Sequence, residues 1–208
     1  MREAVSKALY SYWNDVRGER LAPKRFEIEP SQIGSMLPDT FILERVDAHA
    51  TRFRLAGTRI CEAFGTEFRG VSIFDLFGEE DVVTLQRQIA VIARQGAVGL
   101  FVVAADTPDG LTARYEMLVM PLTHTRDVVD RFLGSITPIA RPAWLGSAPL
   151  TSMRLQAHEL VWPDGRPHAM IDGIGRQSPF LAHAREGRIV RSQRRQFRVY
   201  DGGLCDKD

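Results

Sequence analysis

Cysteine, net charge and long apolar runs are all scarce in this sequence. Cys61 and Cys205 are the only two cysteines in 208 residues, and neither lies in a C-x-x-C or Cys/His pattern. We therefore expect no disulfide framework and no structural zinc site, and a reducing cytoplasm fits this composition best. The 27 basic and 26 acidic side chains leave a net charge of +1, which gives no general attraction to nucleic acid or to an anionic membrane. The longest apolar run, residues 97–105, is less than half a membrane span.

Sequence signatures of enzymes are absent too. There is no G-x-S-x-G, Walker A loop, H-E-x-x-H or Rossmann glycine pattern, so we expect no enzymatic activity and no catalytic residues. Glu79, Glu80 and Asp81 lie where a helix should begin, and carboxylates there interact favourably with the helix dipole. The five histidines are scattered along the chain, so we expect no metal site.

The hydrophobic pattern predicts an α+β domain. Residues 3–17 carry an amphipathic helical stripe, and residues 79–95 carry another that ends before Gly96. Strands are predicted at residues 40–46, 52–57, 97–105, 111–122 and 131–140. This order predicts a five-stranded antiparallel sheet with helices on one face. Along the fourth strand, one face is expected to be buried and the other solvated.

Proline and glycine divide the chain. Pro38 precedes the first strand, and Pro138 and Pro142 mark a shift in composition after the last. We therefore predict an N-terminal helical cap at residues 1–38, a core domain at residues 39–141 and a basic C-terminal extension with an arginine-rich tail at residues 142–208. Residues 153–162 in the extension form either another strand or an amphipathic arm.

The order of elements between residues 53 and 77 resembles that of a PAS domain. A strand, a short helix, an E-x-x-G turn and a hydrophobic one-turn helix follow one another. The matching positions are Gly57 and residues 64–65, 67–70 and 74–77. The chain also resembles small bacterial PAS-type proteins with no obvious output domain. That similarity rests on Tyr12 with Trp13, Arg17 with Gly18, Pro23, Arg25, and residues 55–58 and 120–122.

The resemblance implies a cytoplasmic sensory or protein-interaction module that acts in trans on a separate signalling protein and binds a small ligand in its core. A PAS sheet curls around a cavity. The candidate lining residues are Phe53, Leu55, Thr58, Arg59, Ile60, Phe64, Phe74, Leu76, Phe101, Tyr115 and Met117. Because apolar residues at these positions are equally able to fill a tightly packed core, a ligand pocket and a solid core remain alternatives.

The cofactors of two PAS subfamilies are not expected. Photosensory members that form a flavin–thiol adduct place a cysteine in the stretch that corresponds to residues 71–77, where this chain has none. Cys61 lies one helix too early. Haem-binding members supply a histidine from the long connector helix, and residues 79–95 contain none. The resemblance therefore leaves the cofactor unknown.

The N-terminal helix has two interpretations. PAS domains often pair through such a helix, so the resemblance implies a homodimer. The candidate interface consists of Leu9, Tyr12, Trp13 and Val16. The alternative is that the helix covers the core of its own chain.

An arginine cluster in the tail gives an alternative function, a nucleic-acid or anionic-ligand binder, for example of a cyclic dinucleotide. The candidate residues are Arg188, Arg191, Arg194, Arg195 and Arg198. Residues 191–195 match the R-x-x-x-R loop of PilZ domains. That family needs a later motif, and only thirteen residues follow Arg195. A solvated or protein-docking tail is therefore favoured, and nucleic acid is not the expected partner.

Overall fold

The computed structural model describes residues 1–168 except Ala48 and Arg126. The α-helices are α1 (Ala4–Arg17), α2 (Thr58–Phe64) and α3 (Glu79–Gln95). Short 3-10 segments span Arg25–Glu27, Pro30–Asp39 and Ile73–Leu76. The strands are β1 (Thr40–Arg45), β2 (Thr51–Ala56), β3 (Val98–Asp106), β4 (Thr112–Thr123), β5 (Val129–Pro138) and β6 (Ser152–Val161).

The strands form one antiparallel sheet in the order β2-β1-β5-β4-β3-β6. The predicted α+β class is confirmed, but the sheet has six strands where the sequence predicts five. β6, which lies in the predicted extension, pairs with β3 and covers an edge that would otherwise expose unpaired backbone groups. A bulge interrupts the pairing at Val102 and Val103, and the N–H of Leu155 donates to Asp81 of α3 at 2.8 Å. The boundaries proposed for the N-terminal cap, the core domain and the C-terminal extension stay predictions.

One face of the sheet packs against α2, the Ile73–Leu76 segment and α3. Its core contains a chain of phenylalanine rings in which the centroids of Phe41 and Phe53 lie 5.7 Å apart, those of Phe53 and Phe68 4.9 Å, and those of Phe64 and Phe68 5.4 Å. All four are buried. Edge and tilted ring contacts of this kind fill the centre of the domain with aromatic surface.

α1 covers the opposite face of the sheet. Leu9 and Trp13 have no exposed surface and pack with Leu118 and Met120 of β4. The indole Nε1 of Trp13 donates to the carbonyl oxygen of Pro121 at 2.9 Å. The expectation of a solvated face on β4 holds at Thr112 and Arg114 but is wrong from Glu116 onward, because there the helix and the strand bury their apolar stripes against each other.

This packing corrects the predicted dimer interface at two positions. Leu9 and Trp13 are buried against the sheet of their own chain, which is the alternative interpretation of the helix. Neither side chain is therefore available to a second copy. Tyr12 and Val16 are half-buried and retain exposed surface. A homodimer through the outer side of α1 stays a prediction.

Polar contacts fix both ends of α1. The backbone N–H groups of Arg2 and Glu3 donate to the buried carboxylate of Glu116 at 2.7 and 3.1 Å, which places negative charge at the helix N-terminus. At the other end, Arg17 donates from Nη1 and Nη2 to the two carboxylate oxygens of Asp164 at 3.0 and 2.8 Å. Its guanidinium also lies over the Trp13 ring, 5.6 Å from the centroid. The N-terminal helix is thus joined to the turn after β6.

Replacing Trp13 with alanine should strongly destabilise the domain. The change removes a fully buried indole and its hydrogen bond, so the free energy of unfolding should fall by about 3–5 kcal/mol in a denaturant titration. Asp15→Ala, at an exposed position of the same helix, should change it by less than about 0.5 kcal/mol. Equal stabilities for the two variants would show that α1 does not pack on the sheet.

The Arg17–Asp164 contact should make stability depend on acid pH. The hydrogen bond from Arg17 lowers the pKa of the Asp164 carboxyl, so the ionised form is favoured by folding. Its contribution is present above the ordinary pKa, near pH 4, and is lost as the pH falls through the lowered value. Thermal melts between pH 6 and pH 2 should show a smaller loss of stability for Asp164→Asn than for the wild type. An equal loss of stability in the two proteins would contradict a stabilising contact between Arg17 and Asp164.

Candidate ligand-binding site

A cavity of about 600 Å³ lies beside α2, at the end of the sheet where β4 begins and β5 ends. It is called the α2 cavity below. It exists because β1 is shorter than β5. The paired register of these strands stops at Thr40 and Ser135, so β5 continues to Pro138 with no β1 residue opposite it. α2, α1 and the loop after β5 surround the space left there.

Gly57 sets the position of the α2 wall. Its N–H donates to the carbonyl oxygen of Thr40 at 2.8 Å, and α2 starts at the next residue. A Cβ at Gly57 would collide with the carbonyl oxygens of Leu37 and Pro38. Only glycine allows this close approach, which holds the first turn of α2 against the end of the Pro30–Asp39 segment.

The lining of the α2 cavity has an apolar part and a polar part. The apolar part comprises Val5, Ile60, Ala63, Phe64, Ile136 and Leu145. The polar side chains are Asp39, Arg59, Glu62, Tyr115, Thr137 and Arg141. Small-molecule sites in proteins likewise combine apolar walls with converging polar groups.

One of the two arginines at the cavity is already paired. Arg59 Nη1 donates to Oδ2 of Asp39 at 2.6 Å, and only 5% of the Asp39 side chain is exposed. A buried carboxylate needs such a partner, so this guanidinium is committed to Asp39. Arg141 makes no side-chain hydrogen bond or ion pair within the described part of the chain.

Two buried hydroxyls at the cavity lack partners. Tyr115 and Thr137 are 3% and 6% exposed, and neither hydroxyl has a hydrogen-bond partner among the described residues. Leaving a buried polar group unpaired costs about 1–3 kcal/mol, so most such groups in proteins are paired. Burial raises the pKa of Tyr115 to about 12, against a smaller opposite effect of the Arg141 charge. Tyr115 is thus a neutral donor at physiological pH.

The structure brings some of the predicted pocket residues together and separates the others. Arg59, Ile60, Phe64 and Tyr115 line the α2 cavity. The remaining buried candidates lie in the core on the α2 and α3 side of the sheet, and they are Phe53, Phe74, Leu76, Phe101 and Met117. Whether any of these residues binds a ligand stays a prediction.

Leu55 and Thr58 do not line the α2 cavity, and for Leu55 a bulge explains its exposed position. Strand alternation predicts that Phe53 and Leu55 share a face. The β1–β2 register shifts between Ile42 and Leu43, so Phe53 lies opposite Leu43 while Leu55 lies opposite Ile42. Leu55 is consequently 41% exposed. Thr58, in the first turn of α2, is also exposed.

Thr137, Arg141 and Leu145 were not anticipated as site residues. They follow one another at the end of β5 and in the loop after it, where Pro138 and Pro142 indicated only that the chain leaves the sheet. Their position against α2 is a tertiary contact between distant segments. No periodic signal in the sequence could have indicated it.

The remaining predictions concern the arginine tail, the two cysteines, metal binding and membrane spans. The five tail arginines, Cys205 and most of the basic extension lie outside the described residues. Cys61 is half-buried, and burial raises the pKa of its thiol. Within residues 1–168, no group of three acidic, histidine or cysteine side chains is placed to hold a metal ion. Nor does any helix in that region have the length and apolar character needed to cross a membrane.

The architecture defines the class of the protein. Short helices and the long α3 connect the second and third strands of an antiparallel sheet, which is the arrangement that the PAS resemblance implies. The sequence model of the family described as PAS domain matches residues 1–137. The chain therefore belongs to the PAS domain family.

Solved structures with a similar fold share little sequence with this chain. The Rhodobacter sphaeroides LOV protein is 15% identical with a TM-score of 0.41, over 50% of this chain and 61% of that chain. The PAS domain of an HTR-like protein from Haloarcula marismortui is 22% identical with a TM-score of 0.37, over 52% of this chain and 96% of that domain. No curated protein matches the sequence.

Tyr115→Phe should change the response of the protein to alkaline pH. Tyrosine ionises near pH 10 in the unfolded chain but near 12 at this buried position. Folding therefore favours the neutral hydroxyl, and the stability of the wild type falls as the pH rises from 10 towards 12. Between pH 9 and pH 12, the melting temperature should fall less for the variant than for the wild type. At pH 7 the variant should be at least as stable, because it lacks the unpaired hydroxyl; a marked loss would indicate a missed partner.

Proposed function

We propose that this PAS domain protein is a cytoplasmic sensory module that acts in trans on a separate signalling protein. Membership of the PAS family supports a sensory or interaction module in general. The trans action, the ligand and the docking surface are the proposed parts. The low cysteine content supports the cytoplasmic location, since disulfides stabilise mainly secreted proteins.

The observation that carries the proposal is that the α2 cavity borders α1. Val5 of α1 lines the cavity, while Leu9 and Trp13 pack on the sheet. The opposite side of α1 presents Lys7, Ser11 and other polar residues to solvent. A ligand in the cavity would thus contact the helix whose outer side is free to bind a partner.

Under this mechanism, the ligand acts by differential affinity. It shifts the position of α1 only to the extent that it binds one arrangement of the helix better than another. The partner binds the outer side of α1 and distinguishes the two arrangements. A second copy of this chain is the other candidate for the same surface.

Charge substitutions on the outer side of α1 test the proposal. The double variant Lys7→Glu and Ser11→Glu lowers the net charge there by three units, and Val83→Glu with Arg87→Glu lowers it by the same amount at exposed positions of α3. In affinity capture from the native cell, a signalling protein should bind the wild type and the α3 variant but not the α1 variant. Circular dichroism should show the same fold for all three proteins.

The outcome separates the alternatives. Identical captured proteins for the two double variants would contradict docking on α1. Sedimentation velocity on the same proteins tests the homodimer. If the dimer forms through α1, only the α1 variant should sediment as a monomer. A wild type that is monomeric at micromolar concentration would contradict the homodimer and leave the separate partner as the occupant of α1.

A further inference from the structure

We propose that the α2 cavity binds a small organic anion with an apolar body, of the class of medium-chain carboxylates. The inference rests on the proposed sensory function, and it names the chemistry of the ligand. The site is distinct from the centre of the core, where Phe41, Phe53 and Phe68 pack against one another. It lies instead at the gap that β1 leaves beside β5.

The apolar part of the lining selects the body of the ligand. Ile60 and Phe64 of α2, Ile136 of β5 and Leu145 of the loop all line the cavity. A volume of about 600 Å³ lies within the range of small-molecule sites and exceeds that of a short aliphatic chain. A simple inorganic anion would leave this apolar surface in contact with water.

The polar part of the lining selects the charge. Arg59 is neutralised by Asp39, whereas Arg141 has no such partner within the described residues. Arg141 and Tyr115 line the same cavity, and the charge of Arg141 acts on the Tyr115 hydroxyl. A protonated hydroxyl beside a guanidinium forms a pair of donors for one carboxylate. Glu62 and Arg141 are both exposed residues of the cavity lining, but of the two only Arg141 acts on the Tyr115 hydroxyl.

One further feature favours an oxygen-bearing ligand. The hydroxyl of Thr137 is buried without a partner among the described residues, on a residue that lines the same cavity. Buried hydroxyls are normally paired, and a ligand that reaches this one supplies the missing partner.

Isothermal titration calorimetry with three matched probes tests the ligand class. Octanoate, 1-octanol and octylamine share the same chain and differ in the charge of one end. With the full chain at pH 7.5, octanoate should bind one site about tenfold more tightly than either of the others. Arg141→Gln should weaken octanoate binding about tenfold, and Tyr115→Phe about fivefold. Arg87→Gln, at an exposed position of α3, should leave the affinity unchanged.

Several results would overturn the inference. They are absence of octanoate binding, equal affinity for octanoate and 1-octanol, tighter binding of octylamine, and an affinity that Arg141→Gln does not change. Failure of the proposed function is distinguishable, because the capture experiment uses α1 and α3 variants and no added ligand. Loss of octanoate binding with intact α1-dependent capture overturns the ligand class alone. Octanoate binding without α1-dependent capture overturns docking on α1 and supports the ligand class.

Discussion

The centre of the sheet is apolar on both faces, and the other layers of the structure follow from that constraint. β4 is buried at every position from Tyr115 to Thr123, and β5 from Phe132 to Thr137. A sheet of this kind needs a cover on each side, because exposing either face would return a large apolar area to water. The helices between β2 and β3 cover one face and α1 covers the other. The N-terminal helix is thus a structural layer of the domain.

A helix that serves as a layer needs fixed ends, and here both are held by carboxylates from distant parts of the chain. Glu116 of β4 accepts the first backbone N–H groups, and Asp164 after β6 receives Arg17. The side chain of Arg17 is almost completely buried, while Asp164 is 43% exposed. Because Asp164 is partly solvated, its electrostatic attraction to Arg17 is weaker than that of a fully buried pair. The contact nevertheless gives hydrogen-bond acceptors to a guanidinium that packing on Trp13 has removed from water. A movement of α1 would therefore disturb these contacts.

The sequence allows the α+β class and most element positions to be predicted, because strand alternation and helical stripes are local. What it does not reveal is set by contacts between segments. The run at residues 117–122 is apolar at every position, but the alternation that precedes it favours one solvated face, and nothing local tells which element covers that face. Leu55 was assigned to the wrong face because a bulge in β1–β2 pairing breaks the alternation. The sequence also does not decide between a strand and an arm for β6, since pairing with β3 determines its structure.

The α2 cavity follows from the same geometry. β5 must be long because it pairs with β4 up to Tyr115 and Pro138, whereas β1 begins only at Thr40, opposite Ser135. The difference leaves the last residues of β5 beside a gap instead of a strand. Side chains from α1, α2 and the loop after β5 border this gap without filling it. Because these elements are held by contacts elsewhere, the gap cannot close without disturbing them. A mismatch in strand length thus places an unfilled, partly polar space against the helix that covers the other face of the sheet.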